Sequence, residues 1–257
     1  MLAKGWESSW HGPLAHQADS SSPEGLDYDM WLGPAPTRPF NSNRFNRWEW
    51  FFDYGTGELG NDGVHRLDYA RRLLEAGFEA QGKKLPEWPA AVVASGGKYY
   101  FDDAREWPDT LVVTWDYPAA TLMYELLGWS RYPMEGEKEG AAVYGQNGYV
   151  VVGNRGWKAF GSKGELVTSG AGDSNEDSVR HIRDFLKCVR EGGRPTCDMA
   201  IGHVASGLIH MGNISWRVPR KLRFDATKQE FVGDAEANKY LSRTYRAPWT
   251  LPGVSGV

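Results

Sequence analysis

Apolar residues return at helical spacing between residues 57 and 76: Leu59, Val64, Leu67, Ala70, Leu73 and Leu74, with Gly77 as the stop. From residue 90 the pattern shortens. The stretches 90–100, 110–117, 120–128, 141–145, 149–152 and 157–160 are rich in Val, Tyr, Trp and Thr and are separated by Gly, Pro, Asn and Asp. They read as consecutive short strands, which favours an antiparallel or mixed sheet over a doubly wound parallel one. Helical spacing resumes over about 175–190, with Val179, Ile182, Phe185, Leu186 and Val189 on one face and Ser174 and Asp177 spaced like a capping box. A second stretch, about 198–217, places Ile201, Val204, Leu208, Met211 and Ser215 together and ends at Pro219. Residues 1–8 suit one strand and 221–232 a last short pair. Residues 9–56 hold no period, and Pro23, Pro34, Pro36 and Pro39 forbid a long helix there. The prediction is one α+β domain over 1–257: an open mixed or antiparallel sheet at about 90–160, helices packed on one face, and a long N-terminal loop.

Composition narrows the function classes. The net charge is −4, so no global field attracts nucleic acid or anionic lipid. No apolar run approaches the roughly 20 residues of a membrane span, and MLAKGWESSW has no signal-peptide core. The chain as written reads as cytoplasmic. Cys188 and Cys197 read as reduced thiols, not a disulfide scaffold or zinc module. The 12 Trp, 12 Tyr and 10 Phe suit a sugar-facing cleft or a large apolar interface, and they argue against disorder in the loop.

Two motifs need weighing. Gly55-Thr56-Gly57-Glu58-Leu59-Gly60 matches G-x-G-x-x-G by letters. The dinucleotide version follows a buried parallel strand and precedes a second strand ending in an acid. Arg44, Arg47, Glu49 and Asp53 precede it instead, so it reads as a turn into a helix. On that helix Glu58, Asn61, His65, Asp68 and Arg72 fall on one polar stripe. A histidine between an amide and a carboxylate can serve as general base toward a substrate hydroxyl. His203 and His210 share a stripe on the last long helix and read as packing residues. His11 and His16, five apart in the loop, carry no pattern.

Longer segments carry a resemblance. Leu26-Asp27-Tyr28-Asp29-Met30-Trp31-Leu32-Gly33-Pro34-Ala35-Pro36 with Arg38-Pro39-Phe40-Asn41, and the run from Trp50 to Asp68, are similar to segments of the Gfo/Idh/MocA oxidoreductases. So are Ser95-Gly96-Gly97-Lys98-Tyr99, Ile201-Gly202-His203, Gly212-Asn213-Ile214 and Tyr245-Arg246-Ala247-Pro248-Trp249. The resemblance is to the C-terminal domain of the bacterial extended type, a dihydrodipicolinate-reductase-like α+β fold with an open sheet. It implies NAD- or NADP-dependent oxidation or reduction of a sugar or polyol, with substrate contacts and the oligomer interface on this half. It also implies that hydride transfer requires a Rossmann domain absent from this chain, either through a truncated gene product or on a separate partner chain. The chain alone is expected to bind no cofactor. In the family's Asp-x-x-x-His pattern His65 falls on the histidine and Asn61 on the aspartate. An amide can bind or orient a hydroxyl but cannot take its proton.

The expected catalytic pair is therefore His65 and Asn61. Arg44, Trp48, Tyr54, Asp62 and Asp68 are the expected substrate contacts, with no metal site. A homo-oligomer through the sheet face is expected, without nucleic acid or membrane. The competing reading is a stand-alone sugar-binding or self-assembly module without redox activity. Hydrolysis by Asp53, Asp62 or Asp68 is a weaker third, since no carboxylate pair can be placed at hydrolase separation.

Overall fold

The computed structural model describes residues 1–251. Among the described residues ten strands form one sheet: β1 Leu2–Glu7, β2 Ala91–Gly97, β3 Thr110–Tyr117, β4 Ala120–Leu127, β5 Glu139–Gly145, β6 Gly148–Gly153, β7 Gly156–Gly161, β8 Leu166–Ala171, β9 Leu222–Asp225 and β10 Glu230–Phe231. The helices are α1 Tyr28–Leu32, α2 Ser42–Asn46, α3 Gly57–Asn61, α4 Gly63–Glu79, α5 Ser174–Glu191, α6 Met199–Arg217 and α7 Ala235–Asn238. The strand order is β10-β9-β2-β3-β4-β1-β5-β6-β7-β8. Among the described residues β1 and β4 pair in parallel and every other neighbouring pair is antiparallel. The open mixed sheet expected from the strand pattern is therefore present.

One sheet face carries the main core. Leu111, Val113 and Trp115 of β3 and Leu122, Tyr124 and Leu126 of β4 are buried at every second position. That alternation belongs to a sheet packed on one side. The opposing layer is α4, through Leu67, Ala70 and Leu74, and α6, through Val204, Leu208 and Met211. Trp115 fixes α6 by donating its indole N–H to the Leu208 carbonyl at 3.1 Å. At Gly5 a Cβ would lie 2.9 Å from the Arg66 backbone, so this glycine lets α4 lie directly on β1. Among the described residues no helix is long and apolar enough to cross a membrane.

Several elements depart from the sequence reading. The single helix expected over 57–76 is two: α3 ends at Asn61 and α4 runs from Gly63 to Glu79. A side chain at Gly63 would meet the Tyr124 phenol at 2.8 Å, so the chain steps around that ring. The loop 9–56 contains α1, α2 and a 3₁₀ turn at Trp48–Trp50. Asn41 caps α2, accepting from the Asn43 and Arg44 amides, while its own amide donates to Asp19 and to the Gln17 carbonyl. Strand β8 lies outside the expected set. Its residues Leu166 to Ser169 are exposed and carry Thr and Ser, which blurs the alternation.

Helix α5 is capped by Asp173, which accepts from Asn175 and Glu176, one residue ahead of the expected Ser174 cap. Its apolar side is uncovered: Val179, Ile182, Phe185, Leu186 and Val189 are all exposed. The helices that cover the sheet are α4 and α6; α5 presents its apolar positions outward.

Candidate functional site

The junction of α3 and α4 brings the predicted helix residues to the surface. Asn61 and His65 are both exposed, and Asp62 and Asp68 are half-buried. The helix break replaces the continuous stripe with a short step: the His65 amide donates to the Asp62 carbonyl at 3.1 Å. Asp68 faces Arg72 at 3.7 Å across one helical turn. Both members of the expected catalytic pair are therefore open to a reactant arriving from outside.

Glu58 leaves the stripe altogether. It is 2% exposed and points inward, where it meets Glu7, also 2% exposed, and His11. The His11 ring lies with Nε2 3.0 Å from Glu7 Oε1 and Nδ1 3.9 Å from Glu58 Oε2. The Nε2–Oε1 contact is not aligned as a hydrogen bond, and the second Glu7 oxygen, Oε2, has no hydrogen-bond partner. Burial pushes the Glu7 carboxyl up to about 7. Burial, with the Glu7 charge beside it, pushes Glu58 up to about 8. Burial lowers His11, against the pull of Glu58. The Asn61 amide donates to Glu58 Oε1 at 3.4 Å, which links the buried cluster to the exposed pair. His11 carries no pattern in the sequence, because Glu7, four residues before it, ends a strand where that spacing marks no common face, and Glu58 comes from α3.

The loop candidates have other attachments. Arg44 donates to Asp19 at 2.7 Å and to the Pro39 carbonyl at 2.9 Å, so its guanidinium holds the loop together. Tyr54 packs against Trp31 at 5.1 Å, and burial pushes its phenol up to about 12. Trp31 in turn contacts Tyr28 and Phe45. Arg44 and Tyr54 thus belong to the framework of the loop. Trp48 is the exception, 49% exposed with its ring available for stacking. Arg246 ties the C-terminal segment to this framework, donating to Asp29 at 2.7 Å and to the Gly33 carbonyl at 2.9 Å.

The glycines of residues 55–60 are filled from outside. A Cβ at Gly55 would lie 2.5 Å from the Glu49 backbone, one at Gly57 would lie 2.7 Å from the Trp107 ring, and one at Gly60 would meet Thr56. They allow tight packing and form no phosphate cradle, so the residues of this motif do not fit a dinucleotide.

The family model for the oxidoreductase family C-terminal alpha/beta domain, of Gfo/Idh/MocA type, matches residues 3–82 and 150–251. The chain belongs to the Gfo/Idh/MocA oxidoreductase family. The matched segments include β1, the loop, α3 and α4, and then β6 to α7; β2 to β5 lie between them. No curated protein matches the chain. Among solved structures, the aldose-aldose oxidoreductase from Caulobacter crescentus, complexed with glycerol, is 16% identical with a TM-score of 0.55. The match covers 87% of this chain and 55% of that one. An NAD binding oxidoreductase from Klebsiella pneumoniae is 13% identical with a TM-score of 0.56, covering 86% and 58%. The WlbA dehydrogenase from Bordetella pertussis, in complex with NADH and UDP-GlcNAcA, is 15% identical with a TM-score of 0.50, covering 87% and 55%. At these identities the likeness is one of fold. The chain spans little more than half the length of these solved structures.

Proposed function

We propose that this chain is the substrate-binding and oligomerisation part of an NAD(P)-dependent sugar or polyol oxidoreductase. The observation that carries the proposal is the exposed His65–Asn61 pair, standing where the family's Asp-x-x-x-His pattern falls. His65 takes the proton of the substrate hydroxyl through an imidazole nitrogen while the carbinol carbon becomes a carbonyl. Asn61 binds or orients that hydroxyl, and its own amide is steadied by Glu58. Asp62 and Asp68 flank the pair, and the exposed Trp48 ring offers a stacking surface for a sugar face. NAD(P), when bound, supplies the hydride acceptor.

In this reading the nucleotide binds a Rossmann domain outside these residues, and the packing that closes the Gly55–Gly60 motif supports it. The uncovered apolar side of α5 supports this reading, since it offers a surface that a further domain would bury. The partly exposed open face of the sheet is where a second copy would pair. The same apolar surfaces also suit the competing reading, a sugar-binding or self-assembly module without redox chemistry.

Titration with NADH and NADPH by fluorescence separates these readings when done first on the chain alone and then on the chain joined to a Rossmann domain of the family. Binding only in the joined protein, with sugar-dependent turnover, is the expected result. Micromolar nucleotide binding by the chain alone overturns the division of labour. Sugar binding without turnover in the joined protein supports the module.

A further inference from the structure

Glu7, His11 and Glu58 come from three separate segments: the end of β1, the loop behind it and the first turn of α3. One donor atom from each lies within 4.8 Å of the others. We propose that these three side chains form a binding site for a first-row divalent transition cation of the zinc type.

The donor set decides the class of ion. One imidazole nitrogen and two carboxylates suit Zn²⁺, Co²⁺ or Mn²⁺, whereas Ca²⁺ takes all-oxygen shells and Mg²⁺ keeps most of its waters. Three protein ligands leave a fourth position for water, and the His11 side chain, 17% exposed, marks the way in.

The surroundings ask for a cation. Glu7 Oε2 and His11 Nε2 are buried without a hydrogen-bond partner. So is the Tyr124 hydroxyl, on a residue that is 0% exposed. Tyr124 lies opposite Gly5 in the β1–β4 register, two residues from Glu7 on the same sheet face. From there its O–H can donate to a ligating carboxylate and fix its orientation.

The neighbouring arginines are engaged elsewhere. Arg66 is bonded to Glu139, Arg105 to Asp103 and Arg47 to Glu49. That leaves the two buried carboxyl groups with the His11 imidazole between them as their basic neighbour, and a carboxyl pair so placed is compensated either by a shared proton or by a cation. A bound dication would compensate both, tie β1 to α3 and hold Glu58 against the Asn61 amide.

The test uses the full chain stripped with chelator and loaded with ZnCl₂, CoCl₂ or MnCl₂, with MgCl₂ and CaCl₂ in parallel. The expected result is one equivalent of zinc retained through gel filtration, a melting temperature raised by several degrees, and visible d–d bands with cobalt. His11→Gln and Glu58→Gln should each weaken retention by at least about 100-fold. Glu58→Gln removes a buried charge and so should remain folded without metal, which circular dichroism checks. No stoichiometric binding overturns the proposal. So does retention unchanged in both variants, or binding confined to Mg²⁺ and Ca²⁺.

Discussion

Replacing Glu58 with glutamine isolates the cost of burying the Glu7–Glu58 pair. Glutamine keeps the shape of the side chain and removes its charge. Glu58 is 2% exposed, and its carboxyl is raised from 4.5 to about 8, by burial first and then by Glu7. Between those two values the native state holds a proton that the unfolded chain has released. Stability therefore falls as pH rises through this window, by up to about 1.4 kcal/mol per pH unit for one such group. Below about pH 4.5 the group is protonated in both states and makes no difference. From about pH 5 to about pH 8 the loss is on the order of 3 kcal/mol, shared with Glu7 because the two titrate together. The assay is urea unfolding followed by tryptophan fluorescence in the presence of EDTA, at both pH values. Glu58→Gln should exceed the parent stability by about 2 to 3 kcal/mol at pH 8 and by less than about 1 kcal/mol at pH 5, with unchanged m-values. A variant that gains equally at both pH values, or that is less stable at pH 8, would show that Glu58 is not the buried group whose titration weakens the fold.

Gly57 has φ +64 and no room for a Cβ beside Trp107. Gly57→Ala should cost more than about 1 kcal/mol in denaturant melts, and a neutral result would show that the packing there is slack. Trp115 is fully buried and bonded to Leu208, so Trp115→Ala should lose about 3 to 5 kcal/mol; a loss below about 1 kcal/mol would remove it from the core. Phe185 is 57% exposed on α5. Phe185→Glu should leave chain stability within about 0.5 kcal/mol while weakening association with the Rossmann domain in a pull-down titration. Undiminished association would mean that the domain docks elsewhere.

The sheet was legible because one of its faces is packed. Residues 110–117 are rich in Val, Thr, Trp and Tyr between turn residues, and β3 occupies that span with Leu111, Val113 and Trp115 inward. Helix α6, expected at 198–217, runs from Met199 to Arg217, since Asp198 caps it and Pro219 blocks extension. The break at Asp62 was not legible, because helical periodicity passes through it unchanged. What forces the step is the Tyr124 ring against Gly63, a contact 61 residues apart in sequence. The same distance problem hid the cluster at His11. Its partner Glu58 looks like a surface acid on a polar stripe until β1 is laid beside α3. Periodicity marks which side of α5 is apolar, not what covers it, and that side is exposed.

His65 is the proposed base in sugar or polyol oxidation by the chain joined to a Rossmann domain of the family. Steady-state kinetics of His65→Ala in that joined protein tests it most directly. The expected result is a fall in kcat of about 10²- to 10⁴-fold, with little change in substrate KM and an unchanged melting curve. A kcat equal to that of the parent would contradict it.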